Sequence, residues 1–221
     1  MTESILPPEL VPADLPPAAL APSIAVALTE GIDVEAQHFN ADSAHGVQGR
    51  SLSFSGCLFE RCTFADWALH RVHFVDCAFE YCDWSGLRLE NASFQRVRFR
   101  GCRFTGAELL KASQNHVLWD GCSADYLALS DARIQHVAFQ RCRLQESLWH
   151  NVQSKALTLT ACDLTGAQFR LTPLAGLNVS TCTLDALRVD PHDLRGLKVS
   201  AMQALSLCGL FGLSIVQSEE E

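Results

Sequence analysis

Ten cysteines and eight histidines are the residues of this chain with the widest chemical repertoire. Seven of the cysteines, Cys62, Cys82, Cys102, Cys122, Cys142, Cys162 and Cys182, recur at every twentieth position without a break. A thiol can close a disulfide, hold zinc or attack an electrophile, and each role demands a particular placement. The pairs Cys57/Cys62 and Cys77/Cys82 are C-x4-C spacings; structural zinc takes closer pairs with converging ligands. Cysteine is also a small, readily buried residue. A strict column of seven is therefore read as structural packing, and Cys208 is left as the one thiol expected at the surface. His116 and His136 also differ by twenty. Two histidines without a carboxylate make an incomplete metal site. The sequence holds no G-x-S-x-G, P-loop, dinucleotide-binding glycine pattern or H-E-x-x-H. The chain is accordingly read as non-enzymatic, with no catalytic, cofactor-binding or metal-binding residue assigned and no cofactor expected.

What positions these residues is a repeat of five. Every fifth residue from Phe54 is large and apolar: Phe54, Phe59, Phe64, Leu69, Phe74, Phe79, Trp84, Leu89, Phe94, Phe99, Phe104 and Leu109. Eleven of the twelve phenylalanines fall on this register, so chance is excluded as its source. A second apolar series runs two residues upstream, through Cys57, Cys62, Trp67, Val72, Cys77 and Cys82. A period of five fits neither a helix at 3.6 nor a plain strand at 2.0. It fits a chain that turns a corner every five residues, two side chains inward and three outward. The cysteine column closes the coil independently at twenty residues, or four sides. Leucine at Leu69, Leu89, Leu109 and Leu129, where neighbouring sides favour phenylalanine, repeats that closure. Gln114, Ala124 and Ser154 break the central register; because the register resumes after them, they are read as local imperfections.

This pattern resembles the pentapeptide-repeat family, whose A-[DN]-L-x-x consensus takes forms here such as Cys162-Asp163-Leu164-Thr165-Gly166. The resemblance implies an all-β fold, a right-handed quadrilateral β-helix of about eight coils. Rungs about 4.8 Å apart make it a rod on the order of 40 Å long. The expected organisation is a proline-rich, partly disordered segment and cap over 1–31, the β-helix over 32–200, a C-terminal helix and strand over 201–216, and an acidic disordered tail over 217–221. Ser23–Glu30 is expected to cover the first coil as a short helix or strand. Ser200 and Gln203 form a capping-box pattern for a helix from Ala201 to about Cys208. That helix is apolar nearly all round, so Met202, Leu205, Leu207, Leu210 and Phe211 are read as dimerisation residues. Quinolone-resistance members of the family end in a similar helix joining two rods.

Charge narrows the function. Residues 1–51 hold seven acids against Arg50, and the last thirty residues add four acids against Arg195 and Lys198, so residues 52–191 are net neutral. Within the rod, the cysteine side carries Asp66, Asp83, Asp125, Glu146, Asp163 and Asp185 against Arg103 and Arg143. These six acids are the candidate partner-binding residues. The resemblance implies a non-catalytic, protein-binding rod that protects DNA gyrase or topoisomerase IV by mimicking DNA. The alternative is a generic interaction scaffold with a non-topoisomerase partner. A neutral rod counts against DNA mimicry, and no basic stripe suggests direct nucleic-acid contact. No apolar run approaches the ~18 residues of a membrane span, and MTESILPPEL lacks a signal-peptide pattern. The expectation is a cytoplasmic homodimer.

Overall fold

The structure is a computed structural model that describes residues 5–9 and 15–213. The chain winds into a right-handed quadrilateral β-helix of about eight turns. Sides A, B, C and D are named here by their central residues Phe54, Phe59, Phe64 and Leu69. Coils 1 to 8 begin at Ile32, Leu52, Val72, Ala92, Ala112, Ala132, Val152 and Thr172. Every strand pairs in parallel with the segment twenty residues away, as in Phe59↔Phe79, Phe79↔Phe99 and Leu89↔Leu109. Sides A and B share one ten-stranded sheet, and side D carries an eight-stranded one. Side C is mostly a ladder of single bridges, such as Asp83↔Arg103 and Arg103↔Ser123.

The corners explain how five residues suffice for a side. The residue two beyond each centre is left-handed at almost every corner: Arg61, Asp66, Tyr81, Arg96, His116 and Tyr126 have φ of 50–58°. Such a conformation costs a non-glycine residue on the order of 1 kcal/mol. It is offset because the corner amide donates to the next coil, as Arg61 N does to Glu80 O at 2.8 Å. Nine of the thirteen glycines sit at these corners, where the conformation carries no such cost. This glycine register is a sequence signal that the apolar period alone does not reveal.

Inside, side B stacks its rings into a single column. Phe39, Phe59, Phe79, Phe99, Trp119 and Phe139 follow one another with centroids 4.5–5.1 Å apart. Each such contact adds about 0.5–1.5 kcal/mol beyond area burial. The cysteines have a second task besides filling space. Each thiol of the column donates to the carbonyl of the B-side centre one coil back, from Cys62 Sγ to Phe39 O at 3.4 Å through Cys182 Sγ to Leu159 O at 3.6 Å. Burial raises the Cys77 and Cys102 thiols well above their ordinary range, which keeps them neutral donors.

Two of the three register breaks are absorbed in the core. Gln114 is buried without a bulge: its amide oxygen accepts from Trp119 Nε1 at 3.0 Å, while its Nε2 has no hydrogen-bond partner among the described residues. Ala124 stays inward, and Trp119, 4.5 Å from Phe104, supplies bulk beside it. Ser154 behaves differently: it is exposed, although its strand Gln153–Thr160 remains paired to coil 6.

The ends are closed by helices. Helix α1, Leu20–Glu30, buries Leu20, Ile24 and Ala27 against the first coils and stops at left-handed Gly31. It starts earlier than Ser23, and Asp42 of the first coil accepts from its Leu20 amide at 2.6 Å. Helix α2, Ala201–Leu207, starts with the capping box: Ser200 Oγ accepts from Gln203 N, and Gln203 Oε1 accepts from Ser200 N. A 3-10 turn, Cys208–Phe211, extends it to left-handed Gly212. The strand expected around Ile215 and Val216 and the acidic tail lie outside the described residues.

Candidate protein-binding surface

A corner column between sides A and B runs Asp76, Arg96, His116 and His136. Arg96 grips Asp76 with two hydrogen bonds, Nε–Oδ1 at 2.7 Å and Nη2–Oδ2 at 2.5 Å. The guanidinium of Arg96 holds the Asp76 carboxyl below its usual range, helped by the Glu9 amide and opposed by burial. His116 and His136 stack with centroids 4.6 Å apart and planes 9° from parallel. The N-terminal segment is fastened along this column. Glu9 N donates to Asp76 Oδ1 at 2.9 Å and Leu6 N to His116 Nδ1 at 3.2 Å. Farther along the same segment, His38 N donates to Pro16 O and Ala18 N to His38 O. Residues 5–9 and 15–18, inside the stretch read as loosely draped, therefore have defined seats on the rod.

The six acids of side C do not form a continuous negative ridge. Asp125 is buried and accepts from Arg143 Nε at 2.6 Å. Asp83 lies 3.6 Å from Arg103, and Glu146 lies 3.5 Å from Arg188. Asp163 accepts from the Thr165 amide and hydroxyl and from Gln145 Nε2. Asp66 and Asp185 are exposed and make no ion pair among the described residues. The arginine partners come from other coils, one or two turns away, a proximity that a charge count by side does not show. Similar pairs recur elsewhere, among them Arg98–Glu80, Lys111–Glu90 and Arg141–Asp120.

The proposed dimerisation residues divide in two. Leu207 is buried against the last coil and Leu210 packs partly on the core. Met202, Leu205 and Phe211 face outward, 73%, 47% and 54% exposed. The nine cysteines of the coils are all buried free thiols, and Cys208 is half-buried. Among the described residues no three histidine, cysteine or acidic side chains converge as metal ligands. No helix among them is long and apolar enough to cross a membrane.

The family model for the pentapeptide repeat region matches residues 52–118 and 92–169, together just over half of the chain. This chain belongs to the pentapeptide-repeat family. No curated protein matches it. Among solved structures it is similar to a trypsin-treated variant of QnrB1, described as a plasmid-mediated fluoroquinolone resistance protein. That match has 22% identity, covers 84% of this chain and 94% of that one, and has a TM-score of 0.49. It is also similar to HetL, described as a pentapeptide repeat protein involved in heterocyst differentiation regulation, from the cyanobacterium Nostoc sp. strain PCC 7120. The HetL match has 15% identity, covers 79% of this chain and 92% of that one, and has a TM-score of 0.34. Neither likeness assigns a function.

Proposed function

We propose that this protein is a non-catalytic, cytoplasmic rod that works by binding another protein along its sides. The observation that carries this reading is the filled interior. The ring column from Phe39 to Phe139 and the cysteine column beside it fill the interior of the described coils with packed side chains, whereas substrate sites are concave. Work then falls to the surface, where opposite charges alternate from coil to coil. The candidate contacts on side C are Asp66 and Asp185 first, then Asp83 and Asp163, with Asp125 and Glu146 committed to arginines. A second copy is the proposed occupant of the apolar surface made by Met202, Leu205 and Phe211.

Protection of gyrase or topoisomerase IV by DNA mimicry needs a strip of uncompensated negative charge. Paired acids and a neutral rod favour a scaffold whose partner reads an alternating pattern. Two measurements separate the readings. A pull-down with wild-type bait is expected to retain a non-topoisomerase protein that is lost with Asp66→Lys/Asp185→Lys. A supercoiling assay with a fluoroquinolone is expected to show no protection of gyrase; protection at micromolar protein would reverse the choice.

A further inference from the structure

The ladder of sides A and B is complete from coil 1 to coil 7 and then opens. In this fold the residue before each A-side centre sends its amide to the coil behind, as Arg133 N does to Ala112 O and Gln153 N to Ala132 O. The next residue in that column is Pro173, which has no amide hydrogen. No strand of coil 8 pairs with Gln153–Thr160 on sides A and B. Central and corner amides elsewhere donate to the coil ahead, as Phe64 N does to Asp83 O and Arg141 N to Thr160 O. The amides of Ser154, Ala156 and Leu159 have no such acceptor among the described residues. The Leu157 carbonyl likewise lacks the donor that Arg98 N gives to Cys77 O. Strand Gln153–Thr160 is therefore paired to coil 6 along one edge and open along the other. Two hydroxyls hold the ends of the opening, with Thr172 Oγ1 accepting from Val152 N and Thr181 Oγ1 from Ala161 N, both at 3.1 Å.

Two cavities share this open edge, since Ala156 and Leu157 line both. The smaller, about 210 Å³, also takes in Ser154 and coil 8 from Thr172 to Leu177. The larger, about 1230 Å³, takes in Lys155 through Thr160 and reaches Lys198. Both lysines are exposed and make no ion pair among the described residues. Arg98, which holds Glu80, is the third charged side chain of the two linings, and neither lining contains an acid. Open amides along a strand match the carbonyls of an extended chain, and two unpaired ammonium groups beside them match carboxylates. A nucleic-acid strand offers phosphates to the lysines but no backbone amide for the Leu157 carbonyl.

We propose that this edge takes up an extended acidic segment of a partner protein as an added strand. The segment's backbone pairs with Ser154, Ala156, Leu157 and Leu159, and its carboxylates face Lys155 and Lys198. The site rests on the reading of the chain as a protein-binding rod, and it lies apart from Asp66 and Asp185 of side C. Pro173 keeps the seam from closing on itself and so keeps the edge available.

The test uses the full-length protein and a fluorescent peptide of alternating valine and glutamate, eight residues long like the strand it is to pair with. Saturable binding is expected, with slowed exchange of the Ala156 and Leu159 amides, and none for an alternating valine–lysine peptide. Lys155→Glu/Lys198→Glu should weaken binding about tenfold, the scale of two exposed ion pairs. Asp66→Lys/Asp185→Lys should leave it unchanged, so this site and the side C contacts can fail separately. Pro173→Arg restores the missing donor; it should slow exchange of the same amides without peptide and abolish binding. The proposal is overturned if the acidic peptide does not bind, or binds without protecting those amides. It is also overturned if binding survives the lysine reversals or the closed seam, or if a single-stranded oligonucleotide binds more tightly.

Discussion

Two seams of the same rod, one with an arginine and one with a proline at the same place in the repeat, behave as different structures. Between coils 5 and 6, Ser113–Asp120 pairs with Arg133–Gln140 across the whole of sides A and B, and Gln114 and Ile134 are sealed beneath it. Between coils 7 and 8, Pro173 stands where Arg133 stands in the closed seam. The ladder is missing there, and the inward-register position Ser154 is exposed. Sides C and D stay joined at that level, through Leu164 N to Thr183 O and Gln168↔Arg188. The lesson is that the period sets the course of the chain, while backbone donors decide whether successive turns of it are joined.

The largest expected effect comes from breaking the core under the closed seam. Phe99, stacked between Phe79 and Trp119, should cost about 3–5 kcal/mol when changed to alanine. Denaturant titration checks this, and Leu174→Ala, beside the open seam, should cost less. Next, Arg133→Pro would reproduce the opening between coils 5 and 6 by deleting the donor to Ala112 O. A loss of roughly 1–3 kcal/mol is expected from the orphaned carbonyl and disrupted ladder, with amide exchange rising in the flanking strands. Removing the cap of the C-terminal helix by Ser200→Ala should cost about 1 kcal/mol, read as a lowered melting temperature.

The smallest effect concerns Asp76, where the N-terminal segment is seated through the Glu9 amide. Asp76 has a folded-state pKa below its ordinary value, so its contribution is present above that ordinary value, near 4. It is lost as pH falls through the lower, folded-state value. Stability should therefore decline in acid below about pH 4, and Asp76→Asn should flatten that part of the profile. Equal slopes in wild type and variant would remove Asp76 from the account.

Much of the rod could be read in the sequence because burial imposes period. Phe54 through Leu109 gave the sides, Cys62 through Cys182 gave the coil, and Ser200 with Gln203 gave the last helix. The corners were legible too, in glycines such as Gly86, Gly106 and Gly166, though apolar periodicity does not ask about them. Asp83 and Arg103, or Asp76 and Arg96, become neighbours only when the chain is wound, twenty residues apart. A charge count by side therefore overstates the acidity of side C. Pro173 was visible as a proline inside the repeat, but its effect depends on which amide the ladder needs at that position. The N-terminal segment has no period, since it follows the rod axis and leaves the coils.

Amide hydrogen exchange resolved by residue tests the central contrast most directly. The amides of Ile134, His136 and Phe139 should exchange only through global unfolding, on the order of a thousandfold slower than unpaired amides. The equivalent amides of Ser154, Ala156 and Leu159 should exchange far faster than that first set. Equal protection of the two sets would mean that the rod is closed along its whole length.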